Sequence, residues 1–153
     1  MPQNKVTKNR IIPFSPPDIT EAEINEVIDT LRSGWITTGP KTKQFEKEIA
    51  SYCNTSTAVC LSSATAAMEL TLRLLGIGPG DEVISSAYTY TASASVILHV
   101  GATPVLIDTA PDSYEMDYEQ LEEAITKKTK AIIPVDIAGV MCDYDRLLEI
   151  VDR

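Results

Sequence analysis

The stretch CLSSATAAMELTLRLLG, Cys60 to Gly76, carries an apolar run into Ser-Ser-Ala-Thr and then directly into a helical pattern. A strand–turn–helix junction of this kind can hold an anion. The first N–H groups of a helix have no internal partner, and the summed peptide dipoles place roughly half a positive charge there. Small residues at Ser63 and Ala64 let a phosphate approach the backbone, and the Ser63 and Thr65 hydroxyls can complete its shell. The same residues also allow a plainer role, in which Ser62 or Ser63 only caps the helix. The glycine-rich GIGPG at Gly76 to Gly80 precedes a strand instead of following one, so it reads as a turn and not as a dinucleotide loop.

A second chemical feature lies in SSAYTYTASASVILHVGATPVLID, Ser85 to Asp108, where a strand end delivers Tyr88 and Tyr90 to a helix start rich in alanine and serine. In a parallel sheet the carboxyl ends of the strands line the ligand crevice. A tyrosine there can stack on a flat ligand whose phosphate sits at the preceding junction, or it can simply pack between helix and sheet. His99, the single histidine, falls on a helix before Gly101 as a packing or surface residue. The lysines, at positions 5, 8, 41, 43, 47, 127, 128 and 130, fall in polar stretches and read as solvated charge.

The elements that must position these residues follow from pattern. The first seventeen residues hold four prolines and no apolar periodicity, which predicts an extended arm, residues 1–17, ahead of a domain over 18–153. Thr20 with Glu23 forms a capping box, and Ile24, Val27, Ile28 and Leu31 recur at helical spacing before Gly34. A loop from Trp35 to Pro40 leads to a helix with Phe45, Ile49 and Tyr52 on one face. After it, short β-rich runs alternate with helices: TAVCL from Thr57, a helix over 65–75, EVIS from Glu82, a helix over 91–100, and PVLID from Pro104. A helix opened by Asp117 with Gln120, TKAIIPV from Thr129 and a helix opened by Asp143 complete the series, with Gly76 and Gly101 at helix ends. Apolar strands separated by helices predict an α/β fold, a mostly parallel sheet covered on both faces. The last helix pattern runs to Arg153 with no cap, which reads as truncation.

The 153 residues suffice for a core, and their composition is that of a globular chain. A formal charge of -9 with no basic stripe argues against nucleic acid as a partner. Cys53, Cys60 and Cys142 make no metal spacing and read as small core residues in a reducing compartment. No run approaches a membrane span or a signal peptide, so a cytoplasmic location is expected.

The blocks SGWITTGPKTKQFEKEIASY, SSATAAMEL, GIGPGDEVISSAYTYTASASVILHVGATPVLID and TKAIIPVDIAGVMCDYDRLLEI occur in the order found in one family. From about Ile12 onward the chain resembles the DegT/DnrJ/EryC1/StrS sugar aminotransferases. The resemblance implies the large domain of the type I fold that binds pyridoxal 5'-phosphate (PLP), a homodimer, and transfer of an amino group from glutamate to a keto group on a nucleotide-linked sugar. It assigns Ser63, Ala64 and Thr65 to the cofactor phosphate and Tyr90 to its ring, and it extends a substrate role to Trp35 and Thr37. Asp136 replaces a histidine that many members carry. None of the lysines stands in the family's Schiff-base context, so that lysine and the aspartate for the pyridine nitrogen are expected beyond Arg153. Two other readings stay open: a non-catalytic module that holds a phosphate-bearing ligand or serves association, and a PLP-dependent sugar dehydratase.

Overall fold

A computed structural model describes Pro13 and residues 15–152. The arm expected over 1–17 lies largely outside the described residues. The chain divides into two compact units, Met1–Cys60 and Leu61–Arg153.

The first unit holds helices α1 (Glu21–Ser33) and α2 (Pro40–Tyr52). The capping box forms as expected: Thr20 Oγ1 accepts from the Ala22 N–H, and the Glu23 carboxylate accepts from the Thr20 N–H at 2.7 Å. The Thr20 hydroxyl, which donates to the Glu23 carboxylate at 2.6 Å, and then the Thr20 N–H hold the Glu23 carboxyl below the usual glutamate range. Gly34 ends α1 in the left-handed conformation. Pro40 is the first residue of α2 and not the end of the loop, since its fixed φ and missing N–H cost nothing at a helix start. Lys41 donates to the Glu26 carboxylate and joins the two helices. The apolar faces expected to bury stay open: Val27, Leu31, Phe45 and Tyr52 are exposed, and Ala50 is the buried residue of α2.

The second unit is a three-stranded parallel sheet flanked by helices, in the order α3 (Ala64–Leu74), β1 (Glu82–Ser86), α4 (Ala92–His99), β2 (Thr103–Ile107), α5 (Tyr118–Ala124), β3 (Thr129–Ile133) and α6 (Tyr144–Val151). The strand order is β2-β1-β3, so β1 is central, with Ile84 opposite Val105 on one side and Ile132 on the other. Because side chains alternate along a strand, neighbouring residues of β1 feed opposite cores. Val83 packs with Leu72, Val96, Ile97 and Val100 beneath α3 and α4. Ile84 packs with Ile107, Met116, Leu121, Leu147 and Ile150 beneath α5 and α6. Both faces are thus covered, as the alternation of elements required.

Two expectations fail here. TAVCL forms no strand: residues 57–60 have no ladder partner among the described residues, and Val59 is 70% exposed. An apolar run becomes a strand only when a neighbour takes up its backbone groups. Of the cysteines, only Cys142 is buried; Cys60 is half-buried, and Cys53, the C-cap of α2, is exposed. At Gly101, φ is +82° and an added Cβ would lie 3.1 Å from the Pro79 ring, so the turn between α4 and β2 selects glycine for both reasons.

Candidate functional site

The first turn of α3 is where Ser63, Ala64 and Thr65 lie. Ser63 is the N-cap, with φ -164° and ψ 160°, and its Oγ accepts from the Ala66 N–H at 3.0 Å. The capping role is therefore realised, yet it takes up only one donor. The Ala64 and Thr65 N–H groups precede any possible helical acceptor, and no side chain among the described residues bonds them. No acidic residue stands in that turn to compete for the positive end of the dipole. Ser63 and Ala64 are exposed and Thr65 is half-buried. Small open residues, two amides without a partner among the described residues and two hydroxyls together suit a phosphate.

The direction of α3 is fixed by its neighbour. Helix α4 leaves the carboxyl end of β1 and returns to the amino end of β2. In the latter half of α3, Glu69 bonds the His99 ring at 2.9 Å, and Arg73 donates to Glu69 at 2.7 Å and to the His99 carbonyl at 3.2 Å. Next along the chain, the Gly78 turn lies against the Val100 carbonyl. The C-terminal turns of α3 and α4 thus meet at the amino edge of the sheet, and their first turns lie toward the carboxyl edge. Arg73, and after it His99, hold the Glu69 carboxyl below the usual range. His99 is accordingly a surface residue in a helix–helix clamp.

At that carboxyl edge β1 ends in two buried serines. Ser85 Oγ donates to the Ile133 carbonyl at 2.9 Å, and Ser86 Oγ accepts from the Tyr88 N–H at 3.2 Å. The chain then turns through Tyr88–Tyr90 into α4. The two tyrosines are not equivalent. Tyr88 stacks on Tyr114 of the loop after β2, with ring centroids 5.4 Å apart and planes at 22°. Tyr90 is 80% exposed, and its ring has no stacking partner among the described residues. Neither ring packs between helix and sheet.

The loop after β3 contains Asp136. Its carboxylate accepts from the Cys142 N–H at 2.9 Å and from the Tyr144 hydroxyl at 3.0 Å, and the amide in particular keeps it ionised to unusually low pH. These bonds close a loop in which Ala138 has φ +52°. A neighbouring network joins α5 to α6: the Tyr118 hydroxyl donates to Glu115, and the Asp143 N–H donates to Glu115 at 2.6 Å. Burial, and then Glu115, push the Tyr118 hydroxyl far above the ordinary tyrosine range, so it remains a proton donor. Asp117 opens α5 by accepting from the Glu119 and Gln120 N–H groups, while the Gln120 side chain bonds the Asp117 carboxylate instead of closing a reciprocal box.

Trp35 and Thr37 line a hollow of about 380 Å³ in the first unit, together with Thr30, Ile36 and Lys41. The Trp35 Nε1–H donates to the Thr38 carbonyl at 2.9 Å, and the indole lies against Gly39. A Cβ at Gly39 would fall 1.9 Å from Trp35 Cδ1, so a Gly39→Ala change has to displace the ring. Backbone strain plays no part, since Gly39 is extended. We expect Gly39→Ala to break the Nε1 bond and raise acrylamide quenching of the lone tryptophan; unchanged quenching and emission would contradict this packing.

With this geometry in view, the family profile described as DegT/DnrJ/EryC1/StrS aminotransferase family matches residues 17–153. The chain belongs to that family. Among curated relatives, the spore coat polysaccharide biosynthesis protein SpsC of Bacillus subtilis is 46% identical over 143 residues, covering 94% of this chain and 37% of SpsC. The UDP-4-amino-4-deoxy-L-arabinose–oxoglutarate aminotransferase of Shewanella sediminis is 45% identical over 145 residues, covering 95% of this chain and 37% of that enzyme. Among solved structures, Spr1654 of Streptococcus pneumoniae, assigned as a sugar aminotransferase, is 68% identical in its PLP form. It superposes with a TM-score of 0.88, covering 91% of this chain and 36% of Spr1654. The chain thus spans little more than a third of these relatives.

The DegT/DnrJ/EryC1/StrS fold is the PLP-dependent aminotransferase fold, and the α/β unit described above is a part of it. Within it, Asp136 bonds Cys142 of its own loop and Tyr144 at the start of α6. Tyr114 escaped sequence reasoning, because it sits in a polar loop without periodicity, 26 residues from the ring it meets. Among the described residues there is no metal-holding group of His, Cys, Asp and Glu, and no helix long and apolar enough to cross a membrane.

Proposed function

We propose that the chain forms the cofactor-holding part, residues 18–153, of a PLP-dependent aminotransferase that aminates a nucleotide-linked keto sugar with glutamate as donor. The observation that carries this reading is the contrast at the carboxyl edge of β1: Tyr88 already has a stacking partner, whereas Tyr90 offers an open ring face. A planar heterocycle with a phosphate arm suits such a ring beside unpaired helix amides. The relatives support the same reading, since Spr1654 is solved with PLP and with pyridoxamine phosphate (PMP), and SpsC is named for polysaccharide biosynthesis.

When bound, PLP supplies an electron sink for moving an amino group between donor and acceptor. The residues of this chain bind and orient it. The Ala64 and Thr65 amides with the Ser63 and Thr65 hydroxyls hold the phosphate by charge-assisted hydrogen bonds, and Tyr90 covers one face of the ring, excluding water there. Trp35 and Thr37, bordering their own hollow, contact the sugar nucleotide. The enzyme is a cytoplasmic homodimer, and its Schiff-base lysine is not among these 153 residues, so this stretch alone binds without turnover. Treated with PLP and then borohydride, the chain should show only sparse labelling spread over its lysines. Stoichiometric fixation on one lysine would overturn that assignment.

A further inference from the structure

We propose that Tyr114 is a positioning residue for Tyr90, acting through Tyr88. The inference rests on the reading that Tyr90 covers the cofactor ring. The segment from Ala87 to Tyr90 is held at three points: the Ala87 N–H donates to the Ile107 carbonyl at 2.7 Å, Thr89 Oγ1 bonds Ser93 Oγ at 2.8 Å, and the Ser93 N–H donates to the Tyr90 carbonyl at 3.0 Å. Between the first two of these points lies Tyr88, and its ring is held by Tyr114.

Tyr114 is well placed to hold it because its own loop is stiff. Thr109 and Met116 form an antiparallel bridge, and the Ala110 N–H donates to the Glu115 carbonyl at 2.9 Å. Within the tip, the Ser113 N–H donates to the Ala110 carbonyl at 3.1 Å, and the Glu115 N–H to Ser113 Oγ at 3.0 Å. Met116 is buried at 2% and roots this finger in the core beneath α5 and α6. The stacked rings themselves are 51% and 65% exposed, so the pair adds little to the core. Its consequence is local: fixing the Tyr88 ring fixes the backbone two residues before Tyr90. A ring already stacked before ligand arrives spares the ordering cost that a free loop would meet on binding. The finger after β2 therefore sets the face that the loop after β1 presents.

The test measures PMP binding by calorimetry, the induced circular dichroism of bound PMP, and amide hydrogen exchange at residues 88–91 in ligand-free protein. Tyr114→Ala should weaken PMP about three- to tenfold, alter the dichroism and speed exchange, while Tyr114→Phe, which keeps the ring, restores all three. Tyr88→Ala should match Tyr114→Ala, and the double variant should be no worse than either single one. Tyr114→Ala with parental affinity, dichroism and exchange, alongside a Tyr90→Ala variant that binds poorly, would overturn the positioning role and leave the Tyr90 reading standing. A Tyr90→Ala variant that binds PMP normally would overturn both.

Discussion

Tyr90→Ala should weaken PMP binding by about 2 kcal/mol, roughly thirtyfold, while leaving the unfolding midpoint almost unchanged. The ring is 80% exposed, so its removal opens no cavity, and exposed substitutions of this kind shift stability by no more than about 0.5 kcal/mol. Binding is different, because the ring face would be covered only when the ligand is present. Stacking is worth about 0.5–1.5 kcal/mol beyond burial, and the covered apolar area adds about another 1 kcal/mol. Charge-assisted bonds to the phosphate are each worth about 1.5–3 kcal/mol, and the first turn of α3 offers several donors. The phosphate therefore dominates: pyridoxamine without phosphate should bind worse to the parent chain than PMP binds to Tyr90→Ala. Calorimetry with both ligands checks the order, and the reverse order would refute this weighting.

Ile84→Ala should cost about 2–5 kcal/mol of folding stability, a large share of the roughly 5–15 kcal/mol typical of a domain. Ile84 is completely buried on the central strand and packs with residues from β2, α5 and α6 at once. Its cross-strand neighbours Val105 and Ile132 are tied into the ladder, so the cavity cannot collapse. On edge strand β2, Leu106 is 51% exposed, and Leu106→Ala should cost well under half as much. Urea denaturation of the two variants distinguishes them; equal losses would mean that the sheet is not covered over Ile84.

Much of this fold is legible in the sequence because its signals are local. Thr20, Asp117 and Asp143 each cap a helix through their own side chains, and Gly34, Gly76 and Gly101 each take a positive φ at a helix end. The strands at Val83, Val105 and Ile132 each carry adjacent apolar residues that feed both faces of a sheet covered on both sides. What the sequence hides depends on distant partners. TAVCL has strand composition but no neighbour to pair with among the described residues, and the faces of α1 and α2 are patterned for burial yet stay open. At the candidate site, the junction Ser63–Thr65 declares itself by residue type, and the Ser63 cap and the open amides prove compatible. The distinction between Tyr88 and Tyr90 needed coordinates, since it is made by Tyr114, a loop residue that no periodicity marks.

The most direct measurement is a titration of the isotopically labelled chain with PMP, followed by amide chemical shifts. The phosphate should move the Ala64 and Thr65 resonances, the ring should move those of Thr89 to Ala92, and inorganic phosphate alone should reproduce only the first set. Saturating PMP that leaves the Ala64 and Thr65 amides unmoved, or shifts clustered instead around Glu122 and Glu149, would contradict a cofactor cradle at the start of α3.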